Sequence, residues 1–203
     1  MKFQTVLYDC GADHEGIINV GCAAAGSEPA GFVYWVAGLN AGLQVNETAL
    51  NRVYDGEYEL RDSYTIGDLT DMITRGVFTL HRVGGELRVL SDINSLVNTT
   101  ADKGEQFRDN RVVRVADRIA ADTVTLFTEK YLGRIPNNAS GRVSLWADII
   151  ALLGTLRDSG AIEEFDTDEI TVEAGDDKNA VIVTQAVTVT GSMAKLYMTC
   201  VLG

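Results

Sequence analysis

Residues 2–8 place Phe3, Thr5 and Leu7 on one side and Gln4, Val6 and Tyr8 on the other, a period of two that predicts a strand. After a loop over 9–16, "GIINVGCAA" resumes an extended pattern, and "SEPAG" reads as a turn or helix start. "FVYWVAGLNAGL" (Phe32 to Leu43) predicts a mainly apolar, buried helix. Its Ala37, Gly38, Ala41 and Gly42 allow close backbone approach at some cost in helix propensity. "NETALNRVYDGEYEL" has no clear period and reads as irregular or extended. "TIGDLTDMITRG" predicts a short helix capped by Thr65 with Asp68 and ended by Gly76. "VFTLHRV" and "ELRVL" flank Gly84 and Gly85 as the clearest hairpin in the chain.

The second half is dominated by helical periodicity. From about Asn110 to Tyr131, Val112, Val115, Ala116, Ile119, Ala120, Thr123, Leu126 and Phe127 fall on one side. Arg111, Arg114 and Arg118 fall on another, about 140° away at roughly 100° per residue. A second apolar helix is expected from Ser140 to Ser159, closed by Gly160 and packed on two sides. The connection carries Gly133, Pro136, Asn137, Asn138 and Gly141. It predicts a rigid elbow in which Gly133 ends the first helix, Asn138 takes left-handed geometry and Ser140 caps the second. Strands follow around Ile170 to Glu173, over Ala180 to Thr190, and over Met193 to Leu202. The order predicts an α+β fold, with packed helices and a mixed or antiparallel sheet. The final strand carries Leu196, Met198, Cys200 and Leu202 on one face and Tyr197 and Val201 on the other. Such a two-sided apolar strand is either central in its own sheet, the reading the pattern favours, or covered by another subunit.

At 203 residues the chain accommodates one large or two small domains. No run reaches the roughly 18–20 apolar residues of a bilayer span, and the start lacks a signal-peptide pattern, so we expect a chain cytosolic at synthesis without membrane insertion. A net charge of −12 argues against nucleic-acid binding. Within it, Arg108 to Arg142 holds seven Lys or Arg against four Asp or Glu, a basic island suited to an acidic partner or to an ordinary solvated face.

Candidate chemistry is sparse. The chain has no phosphate loop, dinucleotide fingerprint, nucleophile elbow or zinc pair. Three scattered cysteines and two histidines do not form a metal-binding pattern, so no cofactor or metal is expected. Asp166, Asp168, Asp176 and Asp177 read as a solvated acidic turn. Cys10 with His14 offers the alternative of a small hydrolase, resting on sequence proximity alone.

Several segments carry a resemblance to a known family. "DIN" precedes a threonine-containing loop. "F.DNRVVRV.D.IA.D", "YLGRIPNNASGR", "L...GAIEEFD", "MAKLYMTCVL" and the upstream "YWVAGLNAGLQVNETALNRVYDGEYEL" follow in matching order and spacing across about Phe32 to Leu202. Together they resemble the contractile tail sheath family of bacteriophages, prophages and phage-tail-like bacteriocins. Glu47 replaces the family's usual serine, and a long amino-terminal portion with an extended arm has no counterpart here. The resemblance implies that residues 1–100 correspond to the later part of the sheath middle domain and residues 101–203 to the carboxy-terminal domain. It implies a non-enzymatic structural subunit, assembled in the host bacterial cytoplasm into the tail sheath of a virion or particle. Its partners would be further sheath subunits in a helical homo-oligomer, the inner tail tube and the baseplate. Contraction would drive the tube through a target envelope without nucleotide. A type VI secretion or extracellular injection sheath is an allied alternative. Within this reading, Arg111, Arg114 and Arg118 are expected to face the tube. Lys195, Leu196, Tyr197, Met198, Thr199, Cys200, Val201 and Leu202 are expected to form or border an intersubunit strand.

Overall fold

The computed structural model describes residues 4–21, 30–56, 58–60 and 63–201. Two hydrophobic cores divide them. The first is built by the strands β1 (Thr5–Tyr8), β2 (Ile17–Val20) and β3 (Val77–Phe78), the helix α1 (Ala30–Gly42), and the hairpin β4 (Leu80–Val83) and β5 (Glu86–Val89). Ile18, Val20, Phe32, Val36 and Phe78 are fully buried at its centre. Tyr34, on the opposite side of α1, is 74% exposed. The expectation of a buried α1 therefore holds for one face only. Cβ atoms added at Gly38 and Gly42 would meet open space.

The first sheet is parallel throughout, in the order β1-β2-β3. β1 returns to β2 through residues 9–16 alone, with no crossover helix. Polar side chains hold that return in place: Asn19 exchanges hydrogen bonds with the Cys10 backbone at 2.9 Å, and Asp13 accepts from the Val97 N–H at 2.6 Å. Val77 and Phe78 belong to this sheet. The expected hairpin is shorter than its pattern, β4 pairing only with β5 among the described residues, with Gly84 and Gly85 in the turn at φ +57° and +93°. The short helix α2 (Ile66–Thr74) has a full capping box. The Asp68 N–H donates to Thr65 Oγ1 at 3.2 Å, and the Thr65 N–H donates to the Asp68 carboxylate at 2.9 Å.

The second core lies among α3 (Asn110–Leu126), α4 (Ala139–Asp158) and the antiparallel hairpin β6 (Ile170–Ala174) and β7 (Val181–Gln185). Leu145, Ile149, Leu153 and Leu156 recur at helical spacing on the inner side of α4, beneath Val115, Ile162 and Ile170. By length and composition α4 meets the requirements of a membrane-crossing helix, contrary to the reading of the sequence; here its inner side packs as a core. Packing is one-sided, since Val143 is 64% exposed. After Leu126 the chain widens into a π-helical turn over Phe127–Tyr131, where the Leu132 N–H donates to the Phe127 carbonyl, and then enters the elbow.

Candidate functional site

The amino-terminal turn of α3 lies between the two cores, in a buried polar seam. Asp109 caps the helix by accepting from the Arg111 N–H at 2.8 Å. Asp92 accepts from the Ala49 N–H at 2.8 Å, the Thr48 hydroxyl at 3.0 Å and the Asn110 side-chain amide at 2.8 Å. The Asn110 Oδ1 in turn accepts from Gln4 at 2.8 Å. Burial pushes the Asp109 carboxyl above the usual carboxylate range, and neighbouring Asp92 adds to that shift.

The three arginines separate here. Arg111 is 6% exposed and donates to Ser192 Oγ at 3.1 Å and to the Gly160 carbonyl at 2.9 Å. Arg114 donates to the Glu47 carbonyl at 2.9 Å and to Asn40 Oδ1 at 3.1 Å, and burial lowers its pKa. Arg118 alone is exposed, paired with Asp122 one turn on. The expected exposed stripe of three is thus corrected: the seam covers the arginine-bearing side of the first turns of α3, enclosing Arg111 and Arg114. Glu47, at the position of the family's serine, accepts from the Gln44 N–H at 2.9 Å and pairs with Arg52 at 3.1 Å.

One edge of the apolar stripe of α3 is conversely left open, although Val115 is buried in the second core. Val112, Ala116, Ile119 and Ala120 face Val183 and Val187 across a groove of about 810 Å³. Gln185 reaches into it, donating to Thr123 Oγ1 at 3.1 Å, while its Oε1 is buried without a partner among the described residues. β6 and β7 pair only with each other among the described residues, so each keeps an unpaired outer edge.

The carboxy-terminal segment is the second open feature. The chain is held through Thr190, whose N–H donates to the Ala161 carbonyl at 3.1 Å. Beyond Ser192 no strand forms among the described residues. Met193, Leu196, Tyr197, Met198 and Val201 are each at least 80% exposed. The favoured expectation of a central strand over Met193 to Leu202 is corrected for residues 193–201, which no partner strand reaches among the described residues. Lys195, Thr199 and Cys200 are exposed with their neighbours, and Leu202 lies outside the described residues.

At the elbow Gly133 takes φ +68°, the left-handed region a helix end requires. Asn138, in extended geometry, is the cap of α4 and accepts from the Gly141 N–H at 2.8 Å. Ser140 lies inside the helix, which corrects both assignments. Pro136 stands over Gly141 so closely that an added Cβ would lie 2.3 Å from its carbonyl oxygen. Asn137 ties the elbow to the β6–β7 turn, donating to the Lys178 and Ala180 carbonyls at 2.9 and 2.8 Å. Asp92, Asn110, Asn137 and Gln185 carry these sites through bonds to residues distant in the chain, which the sequence pattern does not reveal.

His14 Nδ1 accepts from the Gly16 N–H at 2.8 Å, and Cys10 is joined through its backbone to Asn19. Neither geometry sets up a thiol–imidazole pair. The described residues hold no cluster of three metal-ligating side chains.

Known proteins share this architecture. Residues 102–203 match the phage tail sheath C-terminal domain, and residues 1–95 match the phage tail sheath protein central domain. The chain belongs to the phage tail sheath family. The phage-like element PBSX protein XkdK of Bacillus subtilis is 30% identical over 210 residues, covering 97% of this chain and 45% of that protein. The sheath tail protein of Desulfitobacterium hafniense is 35% identical with a TM-score of 0.83, covering 94% of this chain and 46% of that one. The helical sheath of the anti-feeding prophage, in its contracted state, has a TM-score of 0.66 at 14% identity, covering 98% of this chain and 60% of that one. That last likeness is one of fold alone. The chain spans less than half the length of XkdK and of the Desulfitobacterium protein.

Proposed function

We propose that this chain is a structural subunit of a contractile tail sheath, joining copies of itself around an inner tube and anchored at a baseplate. The observation that carries this reading is the pairing of two unsatisfied features in a sheath-family chain. One is a free, alternating segment over 193–201; the other is an apolar groove beside an unpaired strand edge. The segment of one copy adds as a strand beside the hairpin of another. Backbone hydrogen bonds supply the join, and alternate side chains supply the fit. Each large apolar residue so buried contributes about 1.5–3 kcal/mol. Residues 1–100 and 101–203 act as two units of the subunit, consistent with their separate cores. Contact with the tube falls to Arg118, since Arg111 and Arg114 are occupied inside the chain.

The test is negative-stain microscopy of the full-length protein assembled on tubes, beside a version lacking residues 193–203. Striated sheaths that vanish on truncation are expected. Sheaths that form equally well without the segment would refute strand exchange through it.

A further inference from the structure

We propose that Arg111 is a positioning residue that pins the exit of the carboxy-terminal segment and sets its pivot between Ser192 and Met193. The proposal rests on the reading that a neighbouring subunit takes up this segment. Arg111 has no carboxylate within ion-pair distance among the described residues, although it is 6% exposed. A buried guanidinium without such a partner is uncommon and calls for a geometric reason. Here one fork grips two points at once: Ser192 Oγ at 3.1 Å and the Gly160 carbonyl at 2.9 Å. Its Nε is buried with no partner among the described residues, so the side chain is placed for these two contacts at the expense of its third donor nitrogen.

The boundary falls where the fork ends. Upstream, Val189 pairs with Ile162 and the Thr190 N–H reaches the Ala161 carbonyl. Ser192 is half-buried; Met193, the next residue, is 103% exposed. Gly160 and Ala161 follow α4, so the grip fastens the departing segment to the helix end beside it. Arg111 is also adjacent to Asn110, which is bonded to Asp92, and Asp92 holds the N–H of Ala49 in the first core. Tension drawn through an exchanged segment therefore reaches the seam between the cores through one side chain, in addition to the β6–β7 hairpin. A lysine cannot reproduce this, because a single ammonium does not present the planar fork that spans both acceptors.

The test is hydrogen exchange and backbone 15N relaxation on the complete free chain, comparing the native sequence with Arg111→Lys and Ser192→Ala. In the native chain, order should fall between Ser192 and Met193. In both variants the fall should move upstream toward Val189, with the Thr190 amide exchanging about tenfold faster while α4 keeps its protection. Ser192→Ala removes only the hydroxyl acceptor, so it decides the matter should Arg111→Lys fail to fold. An unmoved boundary in Ser192→Ala overturns the proposal. So does a uniform loss of protection across α3 and α4, which marks a general packing role. The measurement needs no assembly, so its outcome is separate from that of truncating residues 193–203.

Discussion

Asn110 is joined to Asp92 twice: its side-chain amide donates to the Asp92 carboxylate at 2.8 Å, and its backbone N–H donates to the Asp92 carbonyl at 3.1 Å. Both residues are buried; Asp92 also holds the N–H of Ala49 in the first core, and Asn110 opens α3, whose Val115 lies in the second. Replacing Asn110 by Ala leaves the Asp92 carboxylate and the Gln4 amide short of partners. We expect a loss of about 2–4 kcal/mol by chemical denaturation. The single unfolding transition expected of the native chain should also broaden or split. A change below about 0.5 kcal/mol would show the clasp to be incidental.

Two glycines should respond in opposite directions. At Gly141 an added methyl meets the Pro136 carbonyl at 2.3 Å, so Gly141→Ala must displace the elbow backbone. The expected cost is about 1–3 kcal/mol. At Gly38 the same atom meets open space within α1. Gly38→Ala should stabilise the free chain by about 0.5–1 kcal/mol through helix propensity. Thermal melts of the two variants check the contrast.

Acid should weaken the second core through Asp148. Its carboxylate accepts from Lys130 and from the Tyr131 hydroxyl, and these bonds, Lys130 first, hold its pKa below the usual carboxylate range. A depressed folded pKa means stability present above the unfolded value of about 3.9 and lost as pH falls through the folded one. Urea titrations from neutral pH downward should show that loss. The Asp148→Asn variant should have a flatter acid limb.

Tyr131 makes the complementary alkaline prediction. Burial, reinforced by the Asp148 hydrogen bond, raises its pKa well above the ordinary phenol value. Stability tied to the neutral hydroxyl is present below about pH 10 and declines above it, as the unfolded chain ionises first. Tyr131→Phe should shrink that decline while lowering stability at neutral pH by about 1 kcal/mol.

The parts legible in the sequence were those written within a few consecutive residues. The Thr65–Asp68 box and the Gly84–Gly85 turn depend on neighbours in the chain, and both were readable. The enclosure of Arg111 and Arg114 is not legible in the sequence, because periodicity shows which side of a helix is apolar, not what covers each side. α3 enters the seam at its first turn, so Arg111 is enclosed while Ala116 stands open. Asp92 and Asn110 are 18 residues apart, and no local pattern announces their bond. The alternation of Leu196, Met198 and Cys200 is a strand pattern that finds no partner strand among the described residues, because alternation shows two apolar faces and not what covers them.

A subunit that offers its tail at one place and a vacant seat at another has no internal rule for stopping. On the proposed reading each newcomer fills one vacancy and brings the next, so growth is head-to-tail and ends only at an outside boundary. Nothing in the groove or the tail encodes a number of copies. The finished length must then be dictated by whatever the rows are laid along.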